Sequence, residues 1–169
     1  RNSIPVFVLS FNGSLISSIL PPTPIKADLR AAQLEACKNP KKKFRIAYEL
    51  VKAKIKRTND VLNWLKERYD IERHVRKVEL ESLALPKAKT VKDIRTVEGR
   101  VALRYWQAIE AIIPETFDFR NRMTKSHQYN ASDPVNLALN YAYGVLEGEC
   151  RKAINIIGLE PSAGFLHDF

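Results

Sequence analysis

Cysteine is scarce in this chain, and long apolar runs are absent. Cys37 and Cys150 are the only cysteines among 169 residues, and they form no Cys-x-x-Cys pair. This usage argues against a zinc site and predicts two buried thiols in a reducing, cytoplasmic compartment. No apolar run approaches the roughly 20 residues that a membrane span needs, and no signal peptide follows Arg1. We therefore expect no association with a membrane.

Acidic residues are outnumbered by basic ones, 19 against 28, which gives a formal net charge of +9. A basic protein favours an anionic partner, most often nucleic acid, although an inert solvated surface is the alternative. The excess is concentrated, because residues 41–77 hold thirteen Lys or Arg against five acidic residues. We predict a phosphate-facing stripe there, in which Lys54, Lys56 and Arg57 bind DNA.

Period-two patterning is confined to the first 20 residues. Two β-rich runs, over residues 6–9 and 15–19, flank Asn12-Gly13, a dipeptide typical of hairpin turns. Two strands alone are only marginally stable, which indicates the last part of a larger β-domain. A stiff Pro-Pro-Thr-Pro linker follows at residues 21–24. We predict that residues 1–22 end an N-terminal β-domain and that residues 23–169 form a helical domain, truncated at its C-terminus, in a mainly α protein.

Helical periodicity takes over from residue 25. Apolar residues recur at steps of three and four, and the pattern predicts helices over residues 29–37, 44–69, 75–85, 90–112 and 133–157. Pro86 is expected to close the third helix. The last helix carries an apolar face that includes Leu146 and Ile157, which we expect to be buried. Gly144 and Gly148 lie next to the polar stripe of the same helix and suggest a close approach of another helix or backbone.

End signals support two of these helices. Thr90 with Asp93 three residues later resembles a capping box. Asp133 is a good N-cap, and Pro134 suits the first helical position. Gly158 stands where a left-handed C-cap is expected. The segment between these helices, residues 117–129, is predicted to be a loop.

Glu98 is the first candidate for chemistry. It is one step from the apolar stripe of its helix, which predicts a half-buried carboxylate. An unpaired buried charge is costly, so a partner is expected, and a boundary glutamate paired with Arg95 or Arg100 is the structural interpretation. Gly99 costs a helix roughly 1 kcal/mol relative to alanine, which suggests that something approaches the backbone there.

His167 is the second candidate. Phe165 and Leu166 are predicted to anchor its segment on the core, so that the imidazole is held in place as a metal ligand or a general acid or base. A terminal surface histidine is the alternative. His74 and His127 lie among charged and polar residues, and both are predicted to be surface residues.

Polar side chains on two helices complete the candidates. One face of the last helix carries Asn136, Asn140, Tyr143 and Glu147. These residues could line a DNA groove or hold a neighbouring loop, and the sequence leaves both interpretations open. On the preceding helix, Arg100 and Arg104 lie near Glu98 and could bind a phosphodiester.

Three motifs resemble those of one family, in the family's order. They are Glu98-Gly99, then Asp133-Pro134-Val135-Asn136 with Leu139-Asn140-Tyr141-Ala142-Tyr143, then the run from Gly158 to His167. On these residues the chain resembles the CRISPR adaptation integrases, the larger of the two universal CRISPR-associated proteins. The resemblance implies a small β-domain followed by an all-helical catalytic domain. Casposon integrases (casposases) share the same catalytic core.

The resemblance also implies a site and an activity. In that family the matching Glu and His bind a divalent metal, which makes Glu98 and His167 catalytic ligands of Mg²⁺ or Mn²⁺. The third ligand, an Asp, is expected beyond residue 169, and Asp168 is not assigned the role. The implied enzyme is a DNA endonuclease and integrase that joins 3′-hydroxyl ends of foreign DNA into the CRISPR array during spacer acquisition.

Implied partners are double-stranded and branched DNA, a second copy of the protein in a homodimer, and a second small CRISPR adaptation subunit. Two alternatives stay open. One is a casposon integrase with the same chemistry, and the other is a non-catalytic helical module that binds DNA.

Overall fold

The structure, a computed structural model, describes residues 6–10, 15–19, 26–122, 131 and 133–167. Within those residues the chain forms one small sheet followed by helices: β1 Val6–Leu9, β2 Leu15–Ile19, α1 Ala27–Lys38, α2 Pro40–Leu65, α3 Glu72–Ser82, α4 Val91–Glu110 and α5 Pro134–Ile157. The predicted mainly α class with a small β piece before it is confirmed. None of the described helices is both long and apolar enough to cross a membrane.

The two strands form an antiparallel pair. Val6 lies opposite Ile19 and Val8 opposite Ser17, and the register shifts between Val8 and Leu9. Both strands occupy the predicted residues, because alternating apolar side chains suit a sheet with one covered face. The Asn12-Gly13 turn lies outside the described residues.

The chain divides into two compact units. One consists of Arg1–Glu35 with Glu115–Ala163, and the other of Ala36–Pro114 with Gly164–Phe169. The predicted domain boundary after residue 22 lies outside the described residues and stays a prediction.

The core of the second unit is built by three helices. In it α4 packs against α2 and α3. Its fully buried members include Val51 and Leu62 of α2, Val75 and Val78 of α3, and Ile94 of α4. These residues recur at helical spacing, so each helix turns one apolar stripe inward.

Several predicted helix ends shift. Asn39 caps α2 by accepting from the N–H groups of Lys41 and Lys42, so that helix begins at Pro40 rather than near residue 44, and it stops at Leu65. The third helix, α3, begins at Glu72 and ends at Ser82. Pro86 therefore does not close it, and lies instead in a short 3₁₀ turn over Leu85–Lys87. Proline suits the first turn of such a helix, where its missing N–H costs nothing.

All three predicted caps are confirmed. Thr90 and Asp93 exchange side-chain and backbone hydrogen bonds in a capping box at the start of α4. Asp133 accepts from the N–H of Asn136 at the start of α5, and Gly158 ends that helix with φ of 92°. Only glycine adopts this left-handed conformation without a steric penalty.

The buried side of α5 was predicted wrongly. Leu146 and Ile157 are 55% and 51% exposed, whereas Gly144 and Gly148 are buried. The cause is visible at Gly148, where an added Cβ would lie 3.0 Å from Cγ of Phe7. The close approach that the glycines suggested exists there, and the contact is made by an aromatic ring of β1. Glycine spacing, rather than the apolar face, marks the packed side.

Both cysteines are free, and neither of them is fully buried, although burial was expected for both. Cys150 on α5 is exposed. Cys37 is half-buried, and its thiol donates to the carbonyl oxygen of Gly164 at 3.7 Å. Cys150 is exposed for the same reason as Leu146, since both lie on the face of α5 that turns away from Gly148.

Candidate active site

Glu98 lies on α4 with its side chain 17% exposed, and its carboxylate binds the ammonium group of Lys54 on α2. The predicted half-buried carboxylate with a cationic partner is therefore present. The expected partners, Arg95 and Arg100 of the same helix, were wrong. Because α2 and α4 pack together, the ammonium from the neighbouring helix reaches the carboxylate instead.

A sequence signal for this pair existed. Glu98 comes directly after Val97, and Lys54 comes directly before Ile55; Val97 and Ile55 are both buried. Each charged residue thus lies at the border of its helix's buried stripe, where a long side chain can keep its head near water. Opposite charges at matching borders of two packed stripes favour an ion pair between the helices.

Gly99 is exposed, and the expected close approach does not occur within the described part of the chain. A Cβ built on Gly99 meets no described atom within 4 Å. Among the described residues, nothing therefore covers the helix surface at Gly99.

His167 belongs to the same compact unit as Glu98. Leu166 packs against the buried core of that unit, as predicted for an anchor, and Phe165 is half-buried. The next residue, His167, is exposed. An anchored neighbour and an exposed imidazole suit a ligand that must be held in place yet stay accessible.

A divalent cation fits the donors that are present. A carboxylate oxygen and an imidazole nitrogen both bind Mn²⁺, and the carboxylate also suits Mg²⁺. Glu98 already holds a positive charge in the form of the Lys54 ammonium. Among the described residues, no three His, Cys, Asp or Glu side chains group closely enough to hold a metal. The third ligand expected beyond residue 169 stays a prediction, and Asp168 lies outside the described residues.

The predicted DNA-binding stripe of α2 is exposed. Lys54 is 60% exposed despite its ion pair with Glu98, and Arg57 is 84% exposed beside Asp60 at 3.4 Å. Lys56 is also exposed. Exposed ion pairs contribute about 0–1 kcal/mol, so such pairs leave these cations available for phosphate oxygens.

The two arginines of α4 differ in their surroundings. Arg100 is exposed. Arg104 is half-buried, and its guanidinium contacts Glu81 of α3 at 3.4 Å and the Gln107 side chain at 3.2 Å. Arg104 therefore joins α4 to α3.

Asn136 of α5 holds a neighbouring loop, which is one of the two interpretations left open for its face. Its side chain is fully buried. Its amide donates to the Asn121 carbonyl at 2.9 Å and to the Asp133 carboxylate at 2.8 Å, and it accepts from Arg122 at 3.0 Å.

Further along the same helix, Tyr143 is 48% exposed and Asn140 half-buried. The guanidinium of Arg122 lies 5.2 Å from the centre of the Tyr143 ring. The loop that Asn136 holds thus also reaches Tyr143, in a cation–π contact.

His74 is not a simple surface residue. Its Nδ1 atom is buried and has no hydrogen-bond partner among the described residues. Burial lowers the pKa of His74, and the charges of Lys77 and Arg73 lower it further. His127 lies outside the described residues.

The sequence interpretation missed a cavity of about 470 Å³ in the second unit. It lies where α2 and α4 begin, and it is lined by Cys37, Lys38, Pro40, Lys43, Phe44, Lys89, Thr90, Val91 and Arg95. These residues come from two stretches separated by 45 positions of sequence, so no local pattern could have grouped them.

Comparison with known protein families finds a family model that matches the whole chain. The family model described as CRISPR associated protein Cas1 matches residues 1–169. A CRISPR-associated endonuclease Cas1 of Archaeoglobus fulgidus is 34% identical over 185 residues, covering 99% of this chain and 53% of the relative. One of Thermus thermophilus is 28% identical over 176 residues, covering 99% and 48%. The chain thus spans about half the length of these curated relatives.

Solved structures share the fold of this chain. A casposase bound to integration product is 33% identical with a TM-score of 0.82, covering 98% of this chain and 46% of that one. A Cas1 protein from Thermotoga maritima is 20% identical with a TM-score of 0.72, covering 97% and 50%. A Cas6-RT-Cas1–Cas2 complex is 19% identical with a TM-score of 0.82, covering 98% and 18%. The last two likenesses show the fold alone.

Proposed function

Because this chain belongs to the Cas1 family of CRISPR-associated proteins, we propose that it forms the catalytic part of a divalent-metal-dependent DNA endonuclease and integrase. The enzyme joins the 3′-hydroxyl ends of foreign DNA fragments into the CRISPR array during spacer acquisition. One observation carries the proposal. The half-buried Glu98 carboxylate, at the position of the family's Glu-Gly motif, already binds a cation.

Glu98 and His167 would hold Mg²⁺ or Mn²⁺ together with a carboxylate beyond residue 169. When bound, such a cation polarises the phosphodiester and stabilises the charge on the attacking and leaving oxygens. With a metal bound, the Glu98 carboxylate would hold the metal in place of its ammonium partner. The Lys54 side chain, more than half exposed, would then be available for a phosphate oxygen beside the reacting bond.

The candidate DNA-binding side chains fall into two groups, those exposed to solvent and those that already bond to other residues of the fold. Lys54, Lys56, Arg57 and Arg100 are exposed and neutralise phosphates of double-stranded or branched DNA without reading its sequence. Arg104 and Asn136 are engaged within the fold, so their support for DNA binding is indirect. Asn140 and Tyr143 remain proposed DNA contacts.

Partners are proposed by analogy with relatives. One structural neighbour is a Cas1 assembled in a complex with Cas2, which supports a second small adaptation subunit for this protein. The homodimer rests on the resemblance alone. The cytoplasmic location rests on the resemblance and on the two free cysteines, which suit a reducing compartment.

A casposon integrase is the second candidate. The casposase in the comparison is 33% identical to this chain over the 46% of its length that is covered, and it is bound to integration product, which favours the same joining chemistry. Genomic context separates the two, since a CRISPR array supports the first and a transposon with its own polymerase supports the second.

A carboxylate substitution tests the mechanism. Glu98→Ala in the intact protein should abolish DNA joining and leave duplex affinity within about threefold, because the carboxylate serves the metal and the basic face serves the phosphates. Glu110→Ala, at the far end of α4, is the matched control and should join DNA normally. Full joining by Glu98→Ala would refute the mechanism. Absent joining by the wild-type protein with DNA binding retained would support the non-catalytic module.

Charge reversal tests the DNA path. Changing Lys54, Lys56 and Arg57 together to Glu should flatten the slope of log affinity against log salt by about 3, near 0.9 for each lost phosphate contact. The control reverses Lys26, Arg120 and Lys152 of the other unit and should leave the slope nearly unchanged. An unchanged slope for the first variant means that the stripe is only a solvated face.

A further inference from the structure

The segment that carries His167 has no regular secondary structure. Residues 159–167, all of which the structure describes, contain neither helix nor strand. A turn runs from Glu160 to Ala163, where the N–H of Ala163 donates to the Glu160 carbonyl at 3.2 Å and Pro161 takes the second position. The other backbone groups of such a segment need partners from elsewhere, because an unpaired polar group away from water is costly. Side chains of α1 supply several of these partners.

Gln33 of α1 binds this turn with both polar atoms of its amide. The residue is buried, with 9% of its surface exposed. Its Oε1 accepts from the N–H of Glu160 at 2.8 Å, and its Nε2 donates to the carbonyls of Glu160 at 3.0 Å and Ala163 at 3.1 Å. The amide thus pairs with one donor and two acceptors of the same turn, which fixes the direction of the turn as well as its place.

Two further residues of α1 lie on the same face as Gln33. Arg30 precedes it by three positions and Cys37 follows it by four, which is the spacing of neighbours on a helix surface. The Arg30 guanidinium donates to the Gly158 carbonyl at 3.3 Å, at the end of α5. The Cys37 thiol donates to the Gly164 carbonyl at 3.7 Å. Successive residues on this face of α1 therefore bind successive carbonyls of the chain from the end of α5 onward.

This arrangement bears on His167. Gly164 lies three residues before it, and Leu166 directly before it packs against the buried core. The main chain that leads to the exposed imidazole is therefore held at several points. A metal ligand must be kept within about 0.5 Å of its productive position. Groups that orient a ligand without touching the metal typically change metal affinity by about 10–100-fold when they are removed.

We propose that Gln33 is a positioning residue for the metal site. It holds the turn at residues 160–163, so that the main chain presents His167 to the cation bound by Glu98. Cys37 adds one weaker bond at Gly164, closer to the histidine. Gln33 acts through the turn and not by contact with the metal or with DNA. The inference rests on the proposed function for the role of His167 as a metal ligand.

A change of Gln33 to methionine tests this role, since it keeps the side-chain length and removes all three bonds. The intact protein is titrated with Mn²⁺ and studied by pulsed electron paramagnetic resonance, which detects the nitrogen of an imidazole bound to the metal. The wild type should show this nitrogen signal, and His167→Asn should lack it. We expect Gln33→Met to bind Mn²⁺ at least about tenfold more weakly and to show a reduced nitrogen signal.

DNA joining gives a second readout. Because Gln33→Met keeps both ligands and only loosens one of them, high Mn²⁺ concentrations should restore much of its joining. They should not restore joining in Glu98→Ala, which lacks a ligand. Duplex affinity of Gln33→Met should stay within about twofold of the wild type, because the exposed cations of α2 are untouched.

Asn155→Leu is the matched control. It also removes a bond from a side-chain amide to a backbone carbonyl, that of Arg151 at 2.8 Å, but this bond lies within α5. The control should keep the wild-type Mn²⁺ affinity and nitrogen signal. Hydrogen exchange of the metal-free protein shows where each variant loosens. Amides of residues 159–166 should exchange at least about tenfold faster in Gln33→Met, and those of α4 should exchange as in the wild type.

The outcomes separate this inference from the proposed function. A Gln33→Met protein that melts earlier but keeps the wild-type Mn²⁺ affinity and nitrogen signal would show a structural role only and overturn the inference, with the metal site intact. If His167→Asn keeps the nitrogen signal, His167 is not a ligand and both proposals fall. If Gln33→Met does not fold, Cys37→Ala decides. It should weaken Mn²⁺ binding by about threefold, as expected for one weak hydrogen bond, and an unchanged affinity would overturn the inference.

Discussion

Replacing Lys54 by methionine should lower the free energy of unfolding of the metal-free protein and raise its affinity for a divalent cation. The ammonium of Lys54 binds a carboxylate whose side chain is only 17% exposed, while Lys54 itself is 60% exposed. Exposed pairs contribute about 0.2–1 kcal/mol. Breaking fully buried pairs costs about 3–5 kcal/mol. One partner here is mostly buried and the other mostly exposed, so we expect a coupling of about 1 kcal/mol.

The same energy opposes metal binding, because a cation at Glu98 must displace the ammonium. Removing the ammonium should therefore make the binding free energy of the metal more favourable by about 1 kcal/mol, which is about a fivefold gain in affinity. Urea unfolding of the intact protein in EDTA gives the coupling from a double-mutant cycle of Lys54→Met and Glu98→Gln. Calorimetric titration with Mn²⁺ gives the change in affinity.

An exposed pair on the same helix is the control. Lys52 lies 3.7 Å from Glu49, and the two side chains are 62% and 64% exposed. Its cycle should give a coupling of no more than about 0.5 kcal/mol, with Mn²⁺ affinity unchanged. The reasoning fails if the Lys54 cycle gives no more than the control, or if Lys54→Met binds Mn²⁺ no better than the wild type.

Other predictions concern stability in the absence of metal. Gly99→Ala should stabilise the protein by about 1 kcal/mol, because its Cβ would meet no described atom within 4 Å. Gly148→Ala should destabilise it by about 1–2 kcal/mol, because its Cβ would press on the Phe7 ring. Thermal unfolding of the two variants compares these effects. Asn136→Ala should cost about 2–4 kcal/mol in urea unfolding, since it leaves buried groups unpaired, and an unchanged midpoint contradicts this. The pKa of His74 is lowered in the folded state, so as the pH falls the unfolded chain takes up a proton before the folded chain does. The stability that neutral His74 contributes is therefore complete above about pH 6.5 and is lost as pH falls through the folded-state pKa. His74→Gln should remove this part of the loss of stability below about pH 6.5. An unaltered pH profile of unfolding would exclude that role.

Local chemistry made three helix ends predictable, the start of α4 and both ends of α5. The Thr90 and Asp93 capping box, the Asp133 cap and the Gly158 stop all use hydrogen bonds or dihedral preferences within a few residues. The predicted stretch from residue 75 failed at its C-terminal end because Pro86 is compatible with a 3₁₀ turn, and a proline signal alone does not say which residue before it ends the helix.

In the candidate site, too, the predictable features are those that lie within one segment of the chain. By itself the sequence determined that Glu98 lies at the edge of a buried stripe and that Leu166 precedes His167 as an apolar anchor, because periodicity and adjacency are properties of one segment. The partner of Glu98, the buried side of α5 and the cavity beside Phe44 were decided only by tertiary structure. Each depends on which surfaces meet across tens of residues, and many pairings satisfy the same local pattern. Packing selects among them, as when the Phe7 ring takes the place beside Gly148 and leaves Leu146 exposed.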